Sequence, residues 1–141
     1  MKDTKMDEKD IQQKYMDFQM NQQQVKMINQ QLEEISSKAM ELEYIKQSLD
    51  EMSKVKEKTE ILAPLSSGIF IKANVQKTDE LLVNVGSKTI VKKTIPETKK
   101  LMDVQLAEIE TIRDQLMQQL QQSTIKSKIL EQELSTIPGM Q

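Results

Sequence analysis

Residues 61–93 read ILAPLSSGIFIKANVQKTDELLVNVGSKTIVKK, and apolar side chains recur there at every second position. A period of two is typical of β-strands, whose successive side chains point to opposite faces. Ser66-Ser67-Gly68 and Lys77-Thr78-Asp79-Glu80 provide turn residues, and Gly86-Ser87 predicts a tight reversal with glycine first. The stretch therefore predicts two linked β-hairpins.

On the N-terminal side of this stretch, apolar residues recur every three or four positions, which is typical of a helix that packs along one stripe. One row, with members seven residues apart, contains Ile11, Phe18, Val25, Leu32 and Ala39. The partner row contains Ile28, Ile35, Leu42 and Leu49. Together the rows predict a heptad seam, the pattern that pairs helices in a coiled coil.

Toward the N-terminus the partner row becomes polar, with Lys14 and Asn21 at its positions. We expect a seam that loses its partner row to splay open there. Methionines gather nearby, at Met6, Met16, Met20 and Met27. Two interpretations have equal weight: flexible thioethers form an adaptable apolar surface for variable partners, or they are ordinary coiled-coil filler.

The C-terminal side begins with Thr94-Ile95-Pro96-Glu97, which predicts a helix start with a capping box and proline in the first turn. Heptad rows follow, at Ile109, Leu116, Leu130 and Ile137 and at Leu106, Leu120 and Leu134. Ser123 and Ser127 interrupt the rows. They predict either flexing or a close approach of the first helix, and Ile137-Pro138-Gly139 ends the helix.

These patterns divide the chain into four segments, which are a coiled-coil helix (1–60), a double hairpin (61–94), a second coiled-coil helix (95–137) and a tail (138–141). The predicted fold is mainly α, a long antiparallel two-helix coiled coil with two β-hairpins inserted at its base. If pairing starts near Lys58 and Ile95, paired residue numbers add to about 153, which places Ile137 opposite Met16.

Short hairpins are marginally stable alone and leave backbone groups unpaired at their edges. We expect hairpins from several subunits to join in a closed β-barrel platform, while the alternative is that they fold back on their own helices. The residues expected to mediate oligomerisation are Ile69, Ile71, Val75, Leu81, Val83, Val85 and Ile90.

Composition excludes several function classes. The chain has no cysteine, which excludes thiol catalysis and disulfides. It also has no histidine, the commonest general base and metal ligand. The net charge is −2 and Arg113 is the single arginine, which argues against nucleic-acid binding. No apolar run is long enough for a membrane span or signal peptide. We expect a cytoplasmic protein with no catalytic residues, no metal and no cofactor.

Three stretches together resemble the alpha-class subunits of prefoldin. They are Pro64-Leu65-Ser66-Ser67-Gly68-Ile69-Phe70-Ile71-Lys72-Ala73, Leu82-Val83-Asn84-Val85-Gly86 and Val91-Lys92-Lys93-Thr94. Their order and spacing between two coiled-coil helices carry the resemblance, and two hairpins distinguish the alpha class from the single-hairpin beta class. Ser66 stands where the family more often has glycine.

The resemblance implies a chaperone of two alpha and four beta subunits that holds non-native polypeptide at coiled-coil tips without ATP and delivers it to a group II chaperonin. The physical pattern favours apolar residues near both termini as the polypeptide-binding set: Met6, Ile11, Met16, Met20, Ile137 and Met140. The alternative function is a structural coiled-coil scaffold or tether with one fixed protein partner, which predicts complete seams out to the tips.

Overall fold

A computed structural model describes residues 8–137 of the 141-residue chain. Helix α1 spans Glu8–Met52, helix α2 spans Ile95–Ser135, and four short strands lie between them in sequence. The strands are β1 (Glu60–Ser66), β2 (Ile69–Asn74), β3 (Leu81–Asn84) and β4 (Ile90–Lys93). They form two antiparallel hairpins, β1–β2 and β3–β4. The predicted order of two long helices with two hairpins between them is confirmed.

The described chain divides into two compact units. We call residues 8–37 and 109–137 the terminal unit, and residues 38–108 the central unit. Buried apolar side chains of the terminal unit are Ile28, Ile109, Leu116, Leu130 and Leu134. Those of the central unit are Leu42, Val75, Ile95 and Met102. The predicted heptad rows thus supply most of the buried positions, and each unit has a thin apolar layer.

Helix α1 ends at Met52, eight residues before the predicted boundary at residue 60. The amides of Lys54 and Val55 donate to carbonyls three residues earlier, which tightens the last turn. Lys58 then has a φ of 68°, its N–H donates to the Val75 oxygen at 2.7 Å, and the Val75 N–H donates to the Thr59 oxygen at 2.9 Å. The backbone before Glu60 therefore extends the first hairpin instead of the helix.

The turn between β3 and β4 is displaced by one residue from the predicted Gly86-Ser87 reversal. Its central residues are Ser87 and Lys88, with φ of 49° and 60°, and the Thr89 N–H donates to the Gly86 oxygen at 2.9 Å. Two successive positive φ angles are typical of a type I′ turn. Asn84 supports the turn because its Oδ1 accepts the Gly86 N–H at 2.9 Å.

The predicted start of α2 is confirmed. The Thr94 N–H donates to Oε1 of Glu97 at 3.1 Å, and the Glu97 N–H donates to Oγ1 of Thr94 at 3.2 Å. This reciprocal pair is a capping box, which satisfies two amides that have no partner within the helix. The Thr94 N–H, and to a smaller extent the Thr94 hydroxyl, holds the pKa of the Glu97 carboxyl below its usual range.

Candidate functional site

The seam of the terminal unit contains a buried polar layer centred on Asn21. The side chain of Asn21 is 4% exposed, and Ser123 of α2 is 7% exposed. Nδ2 of Asn21 donates to the backbone oxygen of Ser123 at 2.6 Å and to Oγ of Ser127 at 2.5 Å. The expectation that the seam opens at Asn21 is therefore wrong. The small serines allow α1 to approach, and the hydrogen bonds replace the water that the amide loses on burial.

Lys14, the other polar residue of the partner row, also lies against α2. Its ammonium group pairs with Oε2 of Glu133, and the two side chains are 31% and 37% exposed. The Oε2 atom is itself shielded from solvent. A partly exposed ion pair adds little stability, but this one keeps α1 and α2 in contact as far as Lys14. The terminal unit is closed over more of its length than the sequence predicts.

The pairing register also differs from the expected one. Lys14 and Glu133 in the terminal unit have residue numbers that add to 147. In the central unit, Lys46 pairs with Asp103 and Asp50 pairs with Lys99, and each sum is 149. The sequence prediction of 153 assumed that α1 continues to Lys58. Because α1 ends at Met52, the helices pair about one turn away from the predicted alignment.

A stripe of methionines lies on the face of α1 opposite the seam. Met16, Met20 and Met27 are 55%, 66% and 59% exposed. Their spacing places the three side chains within about 40° of one another around the helix and about 180° from the seam residue Val25. Charged residues beside the stripe are Asp17 and Lys26 of α1 and Lys126 of α2, which lines one cavity with Met20 and Met27. This methionine stripe forms an apolar outer surface about 16 Å long.

The six residues predicted to bind polypeptide have different environments. Met16 and Met20 belong to the exposed stripe. Ile11 and Ile137 are half-buried, and the observed register places Ile137 level with residues 10 and 11, not with Met16. Met6 and Met140 lie outside the described residues. For all six residues, the binding role stays a prediction.

The terminal unit exposes further apolar side chains that are not among the six predicted binding residues. Met27 completes the stripe, and Ile125 and Ile129 of α2 are 52% and 50% exposed. A signal for each was available in the sequence. Met27 follows Met16 by eleven residues, which is three helical turns, and Ile125 and Ile129 are one turn apart and fall outside both heptad rows.

The hairpins expose many of the residues predicted to mediate oligomerisation. Ile69, Ile71, Val85 and Ile90 are exposed. Leu81 and Val83 are half-buried. Val75 is buried within the central unit, where its backbone bonds to Lys58 and Thr59. The hairpins also expose five apolar side chains outside the predicted set, Ile61, Leu62, Leu65, Phe70 and Leu82.

The cross-strand register assigns these residues to faces. Val83 pairs with Val91 and Leu81 pairs with Lys93, so these four side chains share one face of the second hairpin. Ile90 pairs with Asn84 and therefore lies on the opposite face, together with Leu82. Ile90 does not share a face with Leu81 and Val83, and the second hairpin is apolar on both sides.

Within residues 8–137, no group of three or more acidic side chains is arranged to hold a metal ion. In the same part of the chain, no helix has the length and apolar character needed to cross a membrane. The described residues offer apolar contact surfaces on the outside of the terminal unit and on the hairpins.

Comparisons with known proteins agree with this architecture. A family profile described as Prefoldin, prefoldin subunit, matches residues 21–138. Prefoldin subunit alpha of Methanobrevibacter smithii is 30% identical over 100 residues, which cover 71% of this chain and 68% of that protein. Prefoldin subunit alpha of Methanococcus aeolicus is 34% identical over 88 residues, and the match spans 62% of this chain and 59% of that protein.

Two further matches cover more of the chain. Prefoldin subunit alpha of Archaeoglobus fulgidus is 25% identical over 130 residues, covering 91% of this chain and 93% of that protein. The cryo-EM structure of filamentous PFD from Methanocaldococcus jannaschii is 19% identical with a TM-score of 0.75, covers 82% of this chain and 96% of that chain, and shows the same fold. The chain belongs to the prefoldin family, whose members are chaperone subunits that assemble into hetero-oligomers.

Proposed function

We propose that this chain is a subunit of an ATP-independent holdase, and that the outer apolar surface of its terminal unit binds non-native polypeptide. The observation that carries the proposal is the exposed methionine stripe, Met16, Met20 and Met27. Methionine side chains are flexible and polarizable, so they adapt to apolar segments of different shape. The charged residues beside the stripe have both signs, Asp17 with Lys26 and Lys126, so they impose little selection on the charge of a client.

Binding by one subunit is expected to be weak. Burying the exposed part of one methionine side chain contributes about 1–2 kcal/mol, so three methionines alone give an affinity on the order of millimolar. Several terminal units that act on one extended chain raise the effective concentration, while each contact stays reversible. Weak and multivalent contacts suit a client that must later be released.

The proposal includes assembly through the hairpins with beta-class subunits, two alpha with four beta, as the family resemblance implies. The exposed apolar residues of both hairpins support it, because an isolated chain leaves them in water. Each sheet has only two strands, so its outer edges carry unpaired backbone groups within the described residues. Delivery of the client to a group II chaperonin and a cytoplasmic location are inferred from the same resemblance.

A triple substitution tests the binding surface. Met16→Gln, Met20→Gln and Met27→Gln keep helix propensity and side-chain length but remove the apolar surface. The matched control changes three exposed residues of the central unit, Met40→Gln, Tyr44→Gln and Val104→Gln. A chemically denatured client is diluted in the presence of each variant, assembled with beta-class subunits, and its aggregation is followed by light scattering. The methionine variant should suppress aggregation less than the control variant. Equal suppression by the two assemblies would refute the proposed surface.

A truncation tests the chain ends, which include Met6 and Met140. Deleting residues 1–15 and 135–141 should reduce the suppression of aggregation further, because the substitutions leave those ends in place. The mass of the truncated complex is measured by sedimentation before the assay. Undiminished suppression by a truncated complex of unchanged mass would exclude the ends as binding sites.

The scaffold alternative is favoured by one observation, the contact of Lys14 with Glu133, because a rigid scaffold predicts a seam that stays closed toward the tips. The two functions differ in the number of partners. A holdase suppresses aggregation of several unrelated denatured proteins at similar molar ratios, whereas a scaffold with one fixed partner suppresses none of them.

A further inference from the structure

We propose that the polar layer formed by Asn21, Ser123 and Ser127 determines the register of the terminal unit. In this proposal the three residues select one axial alignment of α1 and α2 against alignments displaced by one heptad. The role is independent of client binding, since the layer lies inside the seam and the methionine stripe lies on the opposite face of α1.

The apolar rows alone do not distinguish these alignments. A shift of seven residues in one direction replaces Ser123 and Ser127 by Leu116 and Leu120 at the positions that face Asn21. The same shift in the other direction replaces them by Leu130 and Leu134. Both displaced alignments therefore still pair apolar rows with apolar rows, and hydrophobic burial gives them little disadvantage.

The amide of Asn21 does distinguish them. In the observed alignment it donates to the Ser123 oxygen and to the Ser127 hydroxyl, and the residue is 4% exposed. In either displaced alignment, a leucine in place of Ser127 removes the hydroxyl acceptor, and a leucine in place of the small Ser123 hinders the approach of the amide to the backbone oxygen. A buried amide without a partner is disfavoured by roughly tenfold or more in population. Asn21 therefore penalises each alignment that the apolar rows would tolerate.

Charge near the end of the described helix acts in the same direction. Lys14 pairs with Glu133 in the observed alignment. A displacement that brings Leu116 and Leu120 to Asn21 would bring Lys126 to Lys14, because Lys126 precedes Glu133 by seven residues. An attractive contact would become a repulsive one. This contribution is smaller than that of Asn21, since the side chains are partly exposed.

The absence of native cysteine allows the register to be measured directly, because introduced thiols are the only ones in the chain. Lys14→Cys with Glu133→Cys reports the observed alignment, and Lys14→Cys with Lys126→Cys reports the displaced one. Both pairs also remove the Lys14–Glu133 ion pair, so Asn21 alone is tested. The full-length chain is treated with the short bifunctional reagent 1,2-ethanediyl bismethanethiosulfonate, and intrachain products are quantified by peptide mass spectrometry.

With Asn21 present, we expect the 14–133 product to dominate. With Asn21→Leu, the 14–126 product should rise about tenfold while circular dichroism shows unchanged helix content and an equal or higher melting temperature, since an apolar residue suits that position. A variant that stays folded and gives only the 14–133 product would overturn the proposal.

A reciprocal variant separates register from packing. Ser123→Leu with Ser127→Leu removes the hydroxyl acceptor of Asn21 and crowds its approach to the backbone oxygen of residue 123 in the observed alignment. The melting temperature should therefore fall, and the preference for the 14–133 product should be lost. Adding Asn21→Leu to these changes should restore the melting temperature but not the preference. Restoration of both, or an unchanged preference in the double serine variant, would overturn the proposal.

Discussion

Nζ of Lys99 donates a hydrogen bond to Oδ1 of Asp50 at 2.5 Å, and one turn away the charges are reversed, because Lys46 of α1 pairs with Asp103 of α2 at 2.6 Å. The reversal has a geometric consequence. A displacement of one turn in one direction would place Lys46 opposite Lys99, and in the other direction Asp50 opposite Asp103. Like charges would meet in either case, so the central unit prefers the observed alignment.

A charge reversal at Lys99 tests this preference. In Lys99→Asp, two carboxylates face each other, so we expect circular dichroism to show a lower melting temperature than that of the unchanged chain. The decrease in melting temperature should be smaller in high salt, which screens exposed charges. Adding Asp50→Lys should restore the melting temperature by exchanging the pair. Lys128→Asp, which makes the same charge change at an exposed position, is the control. An equal decrease in melting temperature in the control would show that loss of the Asp50–Lys99 pair is not the cause.

The capping box at Thr94 and Glu97 yields a second prediction. Thr94→Ala removes the hydroxyl that accepts the Glu97 N–H, so the free energy of unfolding in urea should fall by about 1 kcal/mol. Thr94→Ser keeps an acceptor and should lose much less. Thr124→Ala makes the same change at an exposed position within α2 and is expected to cause no loss, since alanine favours a helix.

Stability should also depend on pH through two carboxyls. The Thr94 N–H holds the pKa of Glu97 below its usual range, and the hydrogen bond from Lys99 does the same for the pKa of Asp50. A lower pKa in the folded state stabilises the protein above the unfolded pKa, and this contribution is lost as the pH falls through the folded pKa. The melting temperature should therefore decrease below about pH 4.

Glu97→Gln isolates one of these carboxyls. Its amide oxygen still accepts the Thr94 N–H, so the cap is kept at neutral pH while the titrating group is removed. The melting temperature at pH 7 should change little, and its decrease between pH 5 and pH 2 should be smaller than in the unchanged chain. An acid-induced decrease of the same size in both proteins would show that the Glu97 carboxyl does not contribute.

Local patterns were sufficient to predict most elements of the fold. The hairpins follow from period-two alternation, and the start of α2 follows from the spacing of Thr94 and Glu97. Most of the buried seam positions follow from the heptad rows. Each of these features depends on residues that are neighbours in sequence, so the physical rule that produces them can be applied to the sequence directly.

Two of the features that were predicted incorrectly, the break at Asn21 and the end of α1, depend on partners that are not neighbours in sequence. The sequence predicts a break in the seam at Asn21, because its acceptors, Ser123 and Ser127, lie about a hundred residues later. Helix α1 ends earlier than the sequence predicts, because Lys58 and Thr59 pair with Val75 instead of continuing the helix.

The turn between β3 and β4 gives a further prediction. Ser87 and Lys88 both have positive φ, a backbone conformation that is favourable mainly for glycine, asparagine and aspartate residues. Lys88→Gly relieves this strain and should raise the free energy of unfolding by up to about 1 kcal/mol. Lys92→Gly places glycine in an extended strand and should lower it. Destabilisation by both substitutions in urea unfolding would contradict the assigned turn.

The two faces of the second hairpin allow the proposed assembly to be tested with matched variants. Val83→Asp with Val85→Asp places two charges on the face that includes Val91, and Leu82→Asp with Asn84→Asp places two charges on the opposite face of the same strand. If the first face forms the interior of a shared barrel, charges there lose water without gaining partners. Sedimentation of each variant with a beta-class subunit should show dissociation for the first pair only. A complex that survives the Val83 and Val85 changes would contradict the barrel, and dissociation by the second pair alone would assign the interface to the face of Leu82 and Ile90.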